Sequence, residues 1–220
     1  MTLVIAHRGA SHDERENTLP AFERAIELGA DYVELDVQAS RDGELVVFHD
    51  ADLGGTTPLT GQLRARTAAE LAEVGIPTLQ QALDLMRGRV GVMVELKHAW
   101  RHRRHNIVAR TAALLGADDV VISFEPRALR ETLRLRPGLR VIQHVGYGVT
   151  IRRAAGYAWG VGFHDLRVTR RGLERAWSLG LTTLVYTVND PARMRQLAAL
   201  GVDGIFSDRP DVLREILAGR

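Results

Sequence analysis

Two acids and one histidine interrupt a stretch of the chain that otherwise suits a buried strand. The segment YVELDVQASRDGELVVFHD, residues 32–50, holds Glu34, Asp36 and His49 among apolar neighbours. Burying charged groups without a partner is costly, so a group of this kind marks a candidate functional site. A single acid near a strand end is more often solvated or capping, and only the combination of residues indicates chemistry.

The turn inside this segment predicts how the three side chains meet. Only seven residues, 38–44, separate the two strand patterns. Parallel strands need a connection of roughly a dozen residues, so the pair must be antiparallel. If the Asp-Gly pair at 42–43 forms a favoured two-residue turn, Asp36 lies directly opposite His49 and shares a face with it and with Glu34. A slip of one residue would turn His49 to the other face.

Polar residues also stand at the ends of two other candidate strands. His7 and Arg8 follow the first strand, and Glu95 and Lys97 belong to the third. Taken alone, His7 would suit a core position equally well. Lys97 is the only lysine among 29 basic residues, so we interpret it as a functional residue that arginine cannot replace.

Together these residue types indicate phosphoryl transfer. Three carboxylates that face one cavity repel one another unless a cation lies among them, and carboxylate oxygens suit Mg²⁺, Ca²⁺ or Mn²⁺. Two histidines supply a proton donor and a proton acceptor near neutral pH. Arg8 and Lys97 supply positive charge for a phosphate group. This combination fits phosphoryl transfer better than any other reaction class.

Short apolar strands alternate with amphipathic helices along the chain. The eight main candidates are Leu3–His7, Tyr32–Val37, Gly91–Lys97, Val120–Phe124, Arg140–Val145, Gly160–His164, Thr183–Val188 and Gly204–Ser207. Leu45–His49 is a ninth, the hairpin partner of the second. Eight strands that alternate with helices predict an α/β fold, a (β/α)₈ TIM barrel with reactive groups at the carboxyl ends of its strands. The alternative, an open doubly wound sheet, would favour a glycine-rich G-x-G-x-x-G turn, and HRGASHDE is not one.

Capping residues mark the predicted helix boundaries. Thr18 can cap a helix that Gly29 ends, and Thr78 forms a capping box with the glutamine three residues later. Asp190 precedes a proline that suits the first turn of another helix.

The composition is that of one ordinary globular domain, which we predict to span residues 1–220. Hydrophobic residues make up 45% of the chain and charged residues 25%, and there is no cysteine for disulfides or thiol catalysis. A net charge of +2 does not indicate nucleic acid binding. No apolar run approaches the ~20 residues of a membrane span, and the N-terminus does not resemble a signal peptide. We therefore expect a cytoplasmic protein without stable membrane insertion, and the sequence leaves a homo-oligomer open.

Segments spread over nearly the whole chain resemble a known family. They are AHRGA…ENTLPAF (6–22), GADYVELDV (29–37), RDGELVVFHD (41–50), IPTL (76–79), VELK (94–97), YTVND (186–190) and GVDGIFSDRP (201–210). This series is similar to that of the glycerophosphodiester phosphodiesterase family, whose fold is a TIM barrel. The resemblance implies a metal-dependent phosphodiesterase with one divalent cation.

The resemblance also implies roles for particular residues. The metal ligands would be Glu34, Asp36 and Glu95, the acid and base His7 and His49, and the phosphate contacts Arg8 and Lys97. Supporting positions are Glu16, Asn17 and Tyr186. The family usually has tryptophan where Tyr186 stands, arginine at Gly55 and glutamate at Gln80, so the substrate is less defined than the reaction.

The expected reaction is hydrolysis of a small-molecule glycerophosphodiester to sn-glycerol 3-phosphate and an alcohol. A lysophospholipase D activity on lysophospholipids is one alternative. A phosphate- or lipid-binding barrel without turnover is another, although such a barrel would be expected to have lost a histidine or a metal carboxylate. The basic segment HAWRHRRH, residues 98–105, follows the third strand and is read either as a solvated loop or as a lip that attracts anionic headgroups.

Overall fold

The computed structural model describes residues 2–146 and 148–219. Eight parallel strands close into a barrel, because the first strand pairs with both the second and the last. The strands are β1 (Leu3–His7), β2 (Tyr32–Ala39), β3 (Leu45–Val47), β4 (Gly91–Leu96), β5 (Val120–Ser123), β6 (Arg140–His144), β7 (Gly160–His164), β8 (Thr182–Tyr186) and β9 (Gly204–Ser207). β3 lies outside the barrel and pairs with β2 in antiparallel orientation. The predicted TIM barrel with its hairpin strand is confirmed.

Helices connect the barrel strands and cover the outside of the barrel. They are α1 (Leu19–Glu27), α2 (Ala68–Ala72), α3 (Leu79–Met86), α4 (Ile107–Leu114), α5 (Pro126–Leu135), α6 (Ile151–Ala154), α7 (Arg170–Trp177), α8 (Pro191–Leu200) and α9 (Pro210–Ala218). Thr18 caps α1, Thr78 forms the predicted capping box, and Asp190 caps α8. In the described part of the chain, no helix has the length and apolar character that a membrane span requires.

The turn between β2 and β3 differs from the prediction. The pairs are Val37 with Val47 and Ala39 with Leu45, so Asp36 lies opposite Phe48 and the predicted pairing of Asp36 with His49 is wrong. The connection has one residue more than a two-residue turn, and its last position, Gly43, is left-handed with φ 86°. Asp-Gly suits this turn as well as the shorter one, because a left-handed glycine also closes a three-residue hairpin loop.

Side chains from all around the barrel fill its interior. Buried apolar residues from six of the strands pack against one another there: Ile5, Met93, Val120, Ile122, Ile142, Leu184 and Phe206. This packing occupies the barrel below the carboxyl ends of the strands. The polar side chains at the carboxyl ends of the strands therefore pack against this apolar interior, as is usual for this fold.

The segment after β3 also has a small core of its own. Val46, Phe48, Leu53, Leu63 and Leu71 pack together with Ile76 beneath the connection from β3 to α3. The connection contains a 3₁₀ turn and α2, and it carries no insertion domain. This cluster fixes the chain on both sides of the predicted histidine at position 49.

Candidate active site

Three buried carboxylates meet at the carboxyl end of the barrel. Glu34 and Asp36 are two residues apart on β2, so their side chains point to the same side of the strand. Glu95 on the neighbouring β4 is in register with Asp36. The three side chains are almost fully buried, and each offers an oxygen within 4.8 Å of the others. The sequence predicted this set, and the barrel brings it together.

Lys97 lies among these acids. Its Nζ is 2.8 Å from Glu95 Oε1 and 3.3 Å from Asp36 Oδ1. Neither oxygen makes a well-aligned hydrogen bond with it, although both oxygens are buried. Burial would lower the pKa of Lys97, but the negative charges of Asp36 and Glu95 outweigh burial and raise it, so the side chain stays charged.

The turn after β1 directs Arg8 at the same acids. Arg8 is left-handed with φ 58°, and its backbone N–H donates to Glu34 Oε2 at 3.1 Å while its Nε lies 3.2 Å from Asp36 Oδ2. The next residue, Gly9, has φ 87°, and a Cβ there would lie 2.7 Å from Ala21. Only glycine fits this close approach to α1. The His-Arg-Gly sequence is therefore required by the turn as well as by charge.

Glu16 and Asn17 surround this arginine and the adjacent acid. Both carboxylate oxygens of Glu16 accept from Arg8 Nη1 at 2.9 Å. Asn17 donates to Asp36 Oδ2 at 2.9 Å and accepts from the backbone N–H of Asp36 at 3.2 Å. Both residues thus lie where a bracing role would require them, and Thr18 rather than Asn17 caps α1.

The charges of this cluster favour a divalent cation. Burial, together with the charges of Asp36 and Glu95, raises the pKa of Glu34 well above its usual value. Burial would also raise the pKa of Asp36, but Lys97 and Arg8 outweigh burial and lower it. Three nearly buried carboxylates therefore face two cations, and a dication would relieve the remaining repulsion. An all-oxygen donor set of this kind suits a hard cation such as Mg²⁺, Ca²⁺ or Mn²⁺.

His7 forms a pair with an aspartate from the far end of the chain. His7 Nδ1 lies 2.7 Å from Asp208 Oδ1, and Asp208 also accepts from Ser11 at 3.0 Å and from Asn189 at 2.5 Å. Burial would raise the pKa of Asp208, but these hydrogen bonds and the charge of His7 outweigh it and lower the pKa to about 2. An ionised carboxylate only accepts, so Nδ1 of His7 carries the proton in this pair, and Nε2 lies 3.5 Å from Thr187 Oγ1.

His49 forms a second pair of the same kind. Its Nδ1 lies 2.7 Å from Asp50 Oδ1, and its side chain is 31% exposed at the edge of a cavity of about 450 Å³ that Glu95 and Lys97 also line. His49 lies beyond the end of β3, so strand pairing does not place it. It still lies at the site, but a contact other than the predicted strand pairing positions it there.

The side chain of Gln38 makes the contact that positions His49. Gln38 follows Glu34 and Asp36 on the same face of β2, and its amide donates to the backbone oxygens of Phe48, His49 and Asp50 at 2.9, 3.0 and 2.8 Å. The two N–H groups of the amide are shared among three carbonyl oxygens, and these hydrogen bonds fix the position of the backbone that carries His49. Gln38 is buried, and sequence reasoning had assigned it no role.

We predict that Gln38→Met lowers kcat by about 100-fold with little change in KM, because a misplacement of His49 of about 1 Å is expected to cost this much. Gln143→Met is a matched control, since the amide of Gln143 donates to the backbone oxygens of Ser123, Phe124 and His144 in the same way. Steady-state kinetics and thermal unfolding of both variants make the test. Equal losses of kcat at equal losses of Tm would reduce Gln38 to a structural residue.

A third histidine, His144, lies beneath the acids. It ends β6, is 3% exposed, and places Nε2 3.7 Å from Glu95 Oε2. Its ring packs between Phe124 at 4.6 Å and Tyr186 at 4.2 Å between centroids. Tyr186, a predicted supporting residue, therefore packs against His144 beside the acids. No sequence motif had assigned His144 a function, and only its position at a strand end pointed to the mouth of the barrel.

A second cavity opens on the other side of the acids. It has a volume of about 270 Å³ and is lined by His7, Arg8, Ser11, His12, Glu16, Asn189, Asp208 and Arg209. Each histidine–aspartate pair thus borders its own cavity, with the carboxylate cluster between them. A further cavity of about 410 Å³ lies around Arg87–Val92 and residues 116–119, at the opposite end of the barrel.

Comparison with known proteins places the chain in a class of phosphodiesterases built on this barrel. Residues 7–212 match the model of the glycerophosphoryl diester phosphodiesterase family. The chain belongs to that family, as its sequence motifs indicated, and is an enzyme of the phosphoric diester hydrolase type.

Individual relatives agree with this assignment. A protein of Bacillus subtilis described as a putative glycerophosphodiester phosphodiesterase is 31% identical, over 96% of this chain and 96% of that protein. A phosphodiesterase of Oleispira antarctica, solved in complex with the product sn-glycerol-3-phosphate, superposes with a TM-score of 0.89 at 27% identity, over 99% of this chain and 97% of its own. A glycerophosphodiester phosphodiesterase of Parabacteroides distasonis has a TM-score of 0.87 at 29% identity, over 100% of this chain and 98% of its own.

Proposed function

We propose that this chain hydrolyses glycerophosphodiesters to sn-glycerol 3-phosphate and an alcohol, with one divalent cation and with His7 and His49 as acid and base. The observation that carries the proposal is the buried carboxylate cluster with a histidine–aspartate pair on each side. The bound product of the Oleispira antarctica relative supports the same substrate class. All the family residues that bear on the reaction are present, which argues against a binding barrel without turnover.

Glu34, Asp36 and Glu95 would hold the cation, which supplies positive charge to the phosphate oxygens when bound. Arg8 and Lys97 lie next to these acids and would hold the same phosphate from two sides. Since both are largely covered by the protein and paired with carboxylates, their charges are already oriented before the substrate enters.

Proton transfer would fall to the two histidines. A glycerophosphodiester has a free hydroxyl next to the phosphorylated carbon, close enough to attack phosphorus and displace the alcohol, which forms a five-membered cyclic phosphate. One histidine takes the proton of that hydroxyl at Nε2, and the other donates a proton to the departing alcohol. Water then opens the ring with the two roles reversed. Asp208 and Asp50 contact the histidines at Nδ1, so proton exchange with the substrate would take place at Nε2, where His7 has only a long contact of 3.5 Å with Thr187 Oγ1.

The direct test is an assay for sn-glycerol 3-phosphate released from a panel of glycerophosphodiesters with different alcohols, in the presence of Mg²⁺, Ca²⁺ or Mn²⁺. We expect release from at least one member, and we expect it to be lost in His7→Ala and His49→Ala. Binding of sn-glycerol 3-phosphate without any turnover across the panel would instead support a binding barrel.

We further predict that Lys97→Arg loses activity while remaining folded. The ammonium of Lys97 contacts two acids at once in a buried space, and a planar guanidinium would displace either an acid or the phosphate. We expect a fall in kcat of about 100-fold, as for other misplaced charges at a reacting centre. Arg89→Lys is the control, because Arg89 pairs with Glu23 on the surface. Full activity of the Lys97→Arg enzyme would show that the reaction does not require a lysine at this position.

A further inference from the structure

Exposed apolar side chains concentrate at the end of the barrel that holds the site. The large hydrophobic residues that are exposed in the described part of the chain are Trp100 at 60%, Phe124 at 36%, Leu135 at 37% and Leu166 at 88%. Trp100, Phe124 and Leu166 follow the carboxyl ends of β4, β5 and β7, whereas Leu135 ends α5 at the opposite end of the barrel. Three of these four side chains therefore lie at the end of the barrel that holds the site.

The chain around these residues is strongly basic. No acid occurs between Glu95 and Asp118, a stretch in which Trp100 is followed by Arg101, Arg103 and Arg104. All three arginines are exposed, and the guanidinium of Arg101 lies 5.0 Å above the indole ring of Trp100.

The same pattern recurs across the mouth of the barrel. No acid occurs between Glu131 and Asp165, and the helix after β6 begins with Arg152 and Arg153, both exposed. Leu166 is followed by three exposed arginines, at 167, 170 and 171.

Five acids partly offset this charge. Asp50, Glu125 and Glu131 line cavities that also include Trp100. Asp165 pairs with Arg193 at 2.7 Å, and Glu174 pairs with Arg170 at 2.9 Å. The acids of the active site itself are buried below the rim. The exposed rim between β4 and α7 is therefore predominantly positive.

We propose that this rim docks on the surface of an anionic lipid aggregate. The rim is formed by Trp100, Phe124, Leu166 and the arginines at 101, 103, 104, 152, 153, 167, 170 and 171. The arginines complement the negative headgroups, and the tryptophan and leucine enter the boundary between headgroups and chains. A nucleic acid would also attract the arginines and stack on Trp100, but it offers no apolar environment for Leu166.

Docking would bring the active site against the lipid. The cavity that His49 and Lys97 line also includes Trp100 and Phe124, so it opens directly onto the rim. Resting on the proposed function, the inference is that the docked protein turns this cavity toward the lipid surface.

The test is sedimentation with sucrose-loaded vesicles of phosphatidylglycerol and of phosphatidylcholine, with tryptophan emission as a second readout. We expect binding to phosphatidylglycerol that weakens with salt, and a blue shift in tryptophan emission. Leu166→Asp should weaken binding about tenfold, as burial of several CH₂ groups at an interface predicts. Arg103→Glu should weaken it by about tenfold as well, through the loss and reversal of one charge.

Matched variants at the other end of the barrel are the controls. Leu135→Asp and Arg134→Glu change the same residue types at exposed positions near the end of α5, and they should leave vesicle binding unchanged. All four variants should hydrolyse soluble glycerophosphocholine at the rate of the unmodified enzyme.

Four outcomes would overturn the docking surface. The first is no binding to phosphatidylglycerol vesicles, and the second is binding to phosphatidylcholine vesicles that is equally strong. The third is an equal loss of vesicle binding in the rim variants and in their controls. The fourth is that oligo(dT) displaces the vesicles and binds the Leu166→Asp variant as tightly as it binds the unmodified protein. Each of these leaves hydrolysis of glycerophosphocholine as a separate measurement. Vesicle binding without release of sn-glycerol 3-phosphate from any glycerophosphodiester would instead contradict the proposed function alone.

Discussion

Removal of divalent cations is expected to lower hydrolysis of glycerophosphodiesters by about three orders of magnitude, since a metal at a phosphoryl centre supplies several kcal/mol of charge stabilisation. The reason lies in the cluster of Glu34, Asp36 and Glu95, in which three buried carboxylates face the two cations Arg8 and Lys97. Without a dication, the acids retain their mutual repulsion and the phosphate meets excess negative charge.

The measurement is the initial rate after dialysis against EDTA, followed by titration with Mg²⁺, Ca²⁺ or Mn²⁺, each of which is to be tested for recovery. Calorimetric titration of the chelated protein with Mn²⁺ gives a readout that does not depend on turnover. Asp36→Asn should lose both activity and Mn²⁺ binding, while Asp118→Asn, at an exposed position on the opposite end of the barrel, should lose neither. Full activity in exhaustively chelated enzyme would exclude a metal-dependent reaction.

Removal of the hydroxyl next to the phosphorylated carbon of the substrate is expected to abolish most turnover. An attack from within the substrate avoids much of the entropy of bringing in water, an effect worth up to about 7–11 kcal/mol in well-oriented systems. His7 and His49 lie at the edges of separate cavities on either side of the acids, where one can accept the hydroxyl proton and the other can protonate the alcohol.

The deoxy or O-methyl analogue should still bind as a competitive inhibitor, because the phosphate contacts proposed for Arg8 and Lys97 do not involve that hydroxyl. Bis(p-nitrophenyl) phosphate, which has a better leaving group but no such hydroxyl, should also be a poor substrate. Rates for the deoxy analogue within a few-fold of those for the natural substrate would mean that water attacks phosphorus directly, and the cyclic intermediate would have to be abandoned.

The sequence alone determined the architecture of the barrel and the identity of the acids. Short apolar strands alternate with helices whose caps, such as Thr18 and Asp190, are local signals, because capping depends on residues close together in the chain. Glu34 and Asp36 could be placed together for the same reason, since they are two residues apart on one strand. The match of the family motifs then linked these acids to Glu95 and to the two histidines.

Only the tertiary structure decided how His49 reaches the site. The Asp-Gly turn suits a two-residue and a three-residue loop, and the choice between them sets the register of the whole hairpin. In the longer loop, Asp36 lies opposite Phe48, and His49 is placed instead by the amide of Gln38. A hydrogen bond from a side chain to three carbonyls beyond a strand end leaves no periodic pattern from which it could be predicted.

Tertiary structure also decided the partners of the catalytic candidates and the character of the rim. Asp208 lies 201 positions from His7, and His144 on β6 meets Glu95 on β4 with β5 between them, so the arrangement of the strands in the sheet creates these contacts. The segment around Trp100 was ambiguous in sequence, because a basic run looks the same in a solvated loop and on a docking surface. Its position after the third strand already predicted the end of the barrel that holds the acids. The structure added which of its side chains are exposed, among them Trp100 and Arg103.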